Sequence, residues 1–351
     1  MPHHAFPLFS LPYLPLKKVL DSFGVHAILY ISMCSLRSKR IAVSYRGPSK
    51  NVKLTLHFGY KHWLSLVINT LCMEEGLSTY WLLSVENRSK LSTVDRTLAT
   101  VRIGNFCNIP VEMGRFGLST YWDDCTVGIT EIGDYAREVF NQDIYEVMLG
   151  EKQEDDNYGR AAEWVKNSQE TIQSLHCNFN PEIDNDLDFI LENFKYTERL
   201  ALDVNPPPEY CPAKPPNFNV DHLHILFSFW VKQEHLLTMN CKYIALQDST
   251  LSSEDLNVFL KHFMNGGCSQ LKEFNVDVEE PIDYEVVMDD VEFEERGRDV
   301  ARLYVNEEEH HHTLRGGLDI KRPSDNAKVT IMNYPKHFLM IVWPDFAGNS
   351  Y

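Results

Sequence analysis

Six short segments of the chain carry apolar residues two apart and recur at a nearly constant interval: IYEVML (144–149), QSLHCNF (173–179), ERLALDV (198–204), LHILFSF (223–229), KYIALQD (242–248) and LKEFNVD (271–277). Aligned on Val147, Leu175, Leu200, Ile225, Ile244 and Leu271, their spacings are 28, 25, 25, 19 and 27 residues. A period of two puts alternate side chains on one face of a strand, so each segment predicts a strand with one apolar face.

A strand followed by a helix or loop every 20 to 29 residues or so is the pattern of leucine-rich repeats, whose units bury their apolar faces only by stacking. The connectors agree with that pattern. Leu187, Ile190, Leu191 and Phe194 form one helical stripe, and Leu256, Phe259, Leu260, Phe263 and Met264 form another. The second stripe is bracketed by Ser252 with Asp255 at its start and Gly266-Gly267 beyond its end, the residues that cap helices. Residues 205–216 are proline-rich and predict an extended loop. A doubly wound α/β sheet would give similar local patterns, but no glycine-rich phosphate loop follows the first strand.

Upstream, Leu16, Val19, Leu20 and Phe23 fall on one stripe of a short helix, with Pro12 and Pro15 at its start and Gly24 at its end. A second helix is predicted from His26 to about Ala42, apolar on two faces and therefore wanting partners on two sides. Between Asn51 and Thr130 the pattern turns to short β-branched and aromatic runs. The tail alternates again in LDIKR (318–322), KVTIMNY (328–334) and HFLMIVW (337–343), with turn residues Pro323 to Ala327 predicting a hairpin. The expected fold is α+β: a helical head at 1–47, a β-rich connecting region at 48–130, a repeat-like solenoid at 131–280, and an acidic loop with a C-terminal β-hairpin cap at 281–351.

With 44 % hydrophobic and 24 % charged residues the composition is that of an ordinary globular chain. No apolar run is long enough to span a bilayer and the N-terminus lacks the basic and apolar regions of a secretory signal, so a cytoplasmic or nuclear protein without a membrane segment is expected. The eight cysteines are scattered and never form C-x-x-C, which predicts reduced thiols. Residues 1–100 hold 12 Lys/Arg against 5 Asp/Glu, while the rest holds 21 against 45, giving a net charge of −17. An acidic body argues against nucleic acid as a ligand and suits a basic or neutral protein partner.

Candidate chemistry is sparse. Glu307 to His312 reads EEEHHH, but consecutive residues point in different directions, so a solvated loop is expected rather than a metal centre. His222 and His224 share a strand face, yet two ligands do not make a site. His57, His62, Ser10, Ser228 and Asp221 could be drawn into a triad on paper, without the G-x-S-x-G context of a nucleophile. Neither nucleotide-binding glycine motif is present. No cofactor, metal or catalytic residue is expected. The acidic run from Glu273 to Glu309, 15 Asp/Glu against three Arg, reads as a solvated face or as a handle for a basic partner.

The segment FPLFSLPYLPLKKVLDSFGVHAILYISMCSLRSKR (6–40) resembles an F-box, above all in Leu11-Pro12, the stripe Leu16, Val19, Leu20 and Phe23, and Ser32-x-Cys34-Ser35 with basic residues after it. Downstream, LSTYWDD (118–124), DYAREVFNQDIYEVM (134–148), residues 235–276 and RGGLDIKR (315–322) resemble the type 2 F-box-associated domain that accompanies such F-boxes. The resemblance implies a non-catalytic substrate-recognition subunit of a Skp-cullin-F-box ubiquitin ligase. The F-box would bind a Skp-family adaptor, and through it a cullin scaffold, while the associated domain holds a protein substrate. By position, the adaptor contacts it implies are Pro7, Leu8, Leu11, Pro12, Leu16, Val19, Leu20, Ile28, Ile31 and Cys34. Tyr13 stands where many F-boxes carry an acidic residue, and His26-Ala27 replaces a more charged stretch. The alternatives are a repeat-type binding module whose F-box has lost its function, and a metal hydrolase built on His310 to His312.

Overall fold

The computed structural model describes residues 8–45, 52–68, 81–91, 98–114, 117–151, 157–181, 185–306 and 311–343. The chain divides into two compact units, residues 1–175 and 176–351.

The first unit opens with three helices, α1 (Tyr13–Asp21), α2 (Val25–Met33) and α3 (Leu36–Tyr45). The single helix expected from His26 to Ala42 is broken at Cys34-Ser35. Ser35 and Ser38 exchange hydrogen bonds there, Ser35 N to Ser38 Oγ at 2.9 Å and Ser38 N to Ser35 Oγ at 3.1 Å. That reciprocal cap starts a new helix. The strands of this unit are β1 (Val52–Phe58), β2 (His62–Ile68), β3 (Trp81–Asn87), β4 (Ala99–Ile103), β5 (Phe106–Met113) and β6 (Leu118–Trp122). After α4 (Cys125–Phe140) comes β7 (Ile144–Leu149), and then α5 (Asn157–Ser168). Their sheet runs in the order β7-β1-β2-β3-β6-β5-β4, parallel at β7/β1 and β3/β6 and antiparallel elsewhere.

Helix α4 anchors this sheet. Asp124 caps it, accepting from Val127 N at 3.0 Å, and Ile129, Ile132, Ala136 and Val139 bury its inner face. A Cβ on Gly133 would lie 2.7 Å from Leu56 Cδ1 and 2.9 Å from Trp164, so the glycine is what lets the helix approach β1. The outer side of α4 receives the N-terminal helices, where Tyr135 OH donates to Ser32 Oγ at 3.0 Å and Lys39 Nζ lies 2.6 Å from Glu138.

Strand β8 (Ile172–Phe179) crosses the division between the units. The second unit contains α6 (Asn185–Asn193), β9 (Tyr196–Val204), β10 (His222–Ile225), α7 (Gln233–Leu236), β11 (Tyr243–Ser249), α8 (Ser253–Met264), β12 (Glu273–Val278) and α9 (Tyr284–Val287). It ends in β13 (Glu294–Val305), β14 (His311–Lys321), β15 (Lys328–Asn333) and β16 (His337–Val342). Strands β9, β10, β11 and β12 pair in parallel in chain order, and β12 then pairs antiparallel with β16, followed by β15, β14 and β13. The predicted caps of α8 are present: Asp255 N donates to Ser252 Oγ at 3.2 Å and Ser252 N to Asp255 Oδ2 at 2.9 Å. Its Phe259 packs on Phe274 of β12 with ring centroids 4.4 Å apart.

The expected solenoid is overturned. The protein is mostly β, with sixteen strands and nine α-helices among the described residues, and the strand order in neither unit closes into a barrel. The strands β9 to β12 are parallel in chain order as a solenoid requires, but they do not stand as a stack of their own: β12 pairs antiparallel with β16, and the sheet runs on through the antiparallel β15, β14 and β13. The 48–130 region is sheet that pairs with β7 instead of a connector. The C-terminal hairpin is not a cap over a stack, because its strands extend the β9–β12 sheet edge to edge. Nor is the helical head free-standing: Leu29 and Met33 of α2 are fully buried, and α4 occupies the second apolar face that the sequence left open.

Candidate binding surfaces

The N-terminal helices hold a small core of their own, Leu16, Leu20, Ile28 and Ala42, with Leu8, Leu11 and Phe23 packed against it. Among the residues the F-box resemblance singled out, Leu16, Leu20 and Ile28 are thus internal. Leu8, Leu11, Val19 and Ile31 are half-buried, Pro12 and Cys34 are exposed, and Pro7 lies outside the described residues. The exposed apolar groups are neighbours that were not singled out: Tyr13 at 72 %, Leu14 at 70 % and Leu36 at 51 %. Tyr13 and Leu14 stand at the start of α1 and Leu36 at the start of α3. A groove of about 640 Å³ lies between α1 and α3, with Tyr13, Leu36 and Ile41 on its apolar walls and Lys17, Arg37 and Arg40 on its basic rim.

The second surface belongs to the parallel strands. Along β9 to β12 burial alternates residue by residue: Leu200, Leu202, Leu223, Ile225, Ile244, Leu246, Phe274 and Val276 are sealed on one face. The opposite face stays partly open and is polar. In register across it lie Arg199, His222, Tyr243 and Glu273, then Ala201, His224, Ala245 and Asn275. His222 stacks on Tyr243 with ring centroids 4.6 Å apart and planes 11° apart. Asp203 gathers two histidines, with His176 Nε2 at 3.0 Å and His224 Nδ1 at 3.6 Å, and His337 Nδ1 lies 2.6 Å from Asp277. A cavity of about 260 Å³ opens on this face beside Arg199, His222, Tyr243 and Glu273.

The same face continues into the antiparallel strands, where it turns apolar. Glu273 pairs with Ile341 and Asn275 with Leu339, and those two join Tyr304, Leu314, Met332 and Trp343 in a compact cluster. Burial pushes the Tyr304 hydroxyl well above its usual pKa, with Glu273 and Tyr243 adding to the effect.

The remaining sequence candidates are not gathered. Ser228 Oγ donates to the Gln247 carbonyl at 2.7 Å, Asp221 holds Lys242 at 2.8 Å, and His62 is buried beside Gly59 N. His222 and His224 share the open face as their spacing requires, and among the described residues no three His, Cys, Asp or Glu side chains are grouped to hold a metal. Glu307 to His310 lie outside the described residues. No described helix is long and apolar enough to cross a membrane.

Residues 215–276 match the family model described as F-box associated. The match spans β10 to β12 with α7 and α8, so it contains His222, His224, Tyr243 and Asn275 of the open face. It supports an F-box-associated domain in the second unit. No curated protein matches the chain, and no solved structure does.

Proposed function

We propose that this protein is the substrate-recognition subunit of a Skp-cullin-F-box type ubiquitin ligase, with α1 to α3 docking a Skp-family adaptor and the open face of β9 to β12 holding a protein substrate. The observation that carries the reading is the open face, of whose four strands β10, β11 and most of β12 lie in the F-box-associated match. Parallel strands are ordinarily covered on both faces, and here one face is sealed by apolar packing while the other presents half-exposed polar and aromatic side chains. A second polypeptide is the natural cover for such a face. The basic rim of the α1/α3 groove favours an acidic adaptor surface. The subunit would supply no catalytic group: it raises the local concentration of substrate lysines near a ubiquitin-loaded enzyme. That role needs a compartment shared with adaptor and cullin, the cytoplasm or nucleus.

One observation favours a plain binding module instead: Leu16, Leu20 and Ile28 are spent on the head's own core and α2 packs on α4. Affinity purification with mass spectrometry separates the two. The ligase reading expects adaptor and cullin with the wild-type chain, and loss of substrate but not adaptor from the His222→Ala/Tyr243→Ala variant. A folded chain that retains bound proteins but never an adaptor sinks it in favour of the binding module.

A further inference from the structure

We infer that the cavity on the open face takes an arginine side chain of the captured protein, its guanidinium held between the Tyr243 ring and the Glu273 carboxylate. The inference rests on the substrate-holding reading of that face and supplies its chemistry.

The cavity, about 260 Å³, is shaped by the register of four strands. In one row Ala201 and Ala245 flank His224, and their single methyl groups leave a hollow between taller side chains. The next row runs Arg199, His222, Tyr243 and Glu273. His222 and Tyr243 stack from adjacent strands with planes 11° apart, so the ring faces look along this row. Glu273 therefore stands across from the Tyr243 ring on the side away from His222. Asn275 follows two residues on along β12, and Asn306 lines the cavity as well.

Ligand class follows from this set of groups. A guanidinium is planar, stacks on aromatic faces and carries five N–H donors in a fixed fork. An aromatic wall, a carboxylate and two amide oxygens are its complement. An ammonium is a compact point charge that cannot stack flat or span two acceptors. The fit does not require any lining group to be idle: a carboxylate has about four acceptor sites, so Glu273 can receive a guanidinium and keep the contacts it already makes.

The charge of the face agrees. With imidazoles neutral, the outward rows of β9 to β12 carry Asp203, Glu273 and Asp277 against Arg199. Arg199 is two strands from Tyr243 with His222 between them, roughly 10 Å at ordinary strand spacing. Lys242 and Lys272 line a neighbouring cavity, where Asp221 holds Lys242 at 2.8 Å. Beyond residue 100 the chain holds 45 Asp/Glu against 21 Lys/Arg, a field that draws a cationic segment towards the face.

The test titrates the full chain with Nα-acetyl-L-arginine amide, followed by saturation-transfer NMR at about pH 8, where histidine side chains are uncharged. Nα-acetyl-L-lysine amide is the comparison ligand. The expected result is saturable transfer whose apparent affinity falls at least about tenfold in Glu273→Gln and in Ala245→Leu, which fills the hollow. Affinity should survive Tyr243→Phe, which keeps the ring, and Glu209→Gln, which removes the same charge from the 205–216 loop. Circular dichroism checks that each variant is folded, and two disabling variants guard against one that is not. No saturable transfer to wild type, equal affinity for the lysine amide, or wild-type affinity in a folded Glu273→Gln or Ala245→Leu chain overturns the assignment. The titration contains neither adaptor nor captured protein, so the arginine site and the ligase reading fail in different assays.

Discussion

Arg302 Nη1 donates to both oxygens of Asp319, at 2.8 and 2.9 Å, and the two side chains are almost wholly buried. Thr330 Oγ1 and Arg296 Nε each add a hydrogen bond at 2.7 Å, and Arg302 Nη2 reaches the Gly316 carbonyl at 2.8 Å. Gly316 and Gly317 both adopt positive φ, and a Cβ on either would crowd a backbone oxygen about 3 Å away, Arg296 O or Ile331 O. The sequence RGGLDIKR therefore frames a buried ion pair between strands β13 and β14.

Removing one partner strands a charge in the interior. Asp319→Ala is expected to cost about 3–5 kcal/mol, and Arg302→Met with Asp319→Leu together less than the single change. Urea denaturation of the three chains decides it. A double variant weaker than Asp319→Ala would show that the pair contributes net stability.

Acid should act in two stages. Burial holds the His62 imidazole down to about 4, so the unfolded chain binds a proton near pH 6.5 that the folded chain refuses. Stability is expected to fall by roughly 3 kcal/mol as pH drops from about 6.5 to 4. His62→Gln should flatten that slope, measured as urea midpoints at pH 7 and pH 5.

Below that range the carboxylates take over. Burial pushes the Asp319 carboxyl up, but hydrogen bonds from Arg296, Arg302 and Thr330 outweigh it and hold it below its ordinary value, and the Arg322 hydrogen bond brings Asp325 to about 2. Both groups are more acidic in the folded chain. Their contribution is complete above the unfolded value of about 3.9 and is lost as pH falls towards 2. Asp325→Asn should remove part of this second stage and leave the first intact in an acid titration followed by circular dichroism.

Gly133 sets the distance between α4 and β1. Gly133→Val would drive methyl groups into Leu56 and Trp164 and is expected to cost about 1–3 kcal/mol. A melting temperature equal to wild type would mean that α4 can shift outward freely.

In the helical head the proposed adaptor docking can be tested apart from folding. Tyr13→Asp with Leu36→Asp alters exposed side chains and should abolish adaptor capture while leaving the melting curve unchanged. Leu20→Asp buries a carboxylate in the head's core and should lower stability by several kcal/mol, so its loss of binding would report unfolding. Adaptor retention by the Tyr13/Leu36 variant would move the docking surface elsewhere.

The strands were legible because burial of one face writes itself into alternation. Leu200, Leu202, Leu223, Ile225, Ile244 and Leu246 read as inward residues and are inward. The Ser252/Asp255 cap of α8 was equally plain, since both partners lie within one turn. Helix α4 is hard to read from sequence although Ile129, Ile132, Ala136 and Val139 keep helical spacing and Asp124 stands at the cap, because the surrounding β-rich runs mask it. The open face is not legible in the sequence because Arg199, His222, Tyr243 and Glu273 come from four strands separated by connections of unequal length.

What the sequence determined by itself is local: where strands and helices lie, which face of each is apolar, and where a serine or glycine stops a helix. These follow from periodicity and capping within a few residues. Tertiary structure decided strand direction, the choice of β16 as neighbour of β12, and the filling of α2's second face by α4. It also decided that Arg199, Tyr243, Glu273 and Asn306 meet at one cavity. Alternation is the same for parallel and antiparallel pairing, and contacts between distant segments depend on how all the apolar faces are buried together.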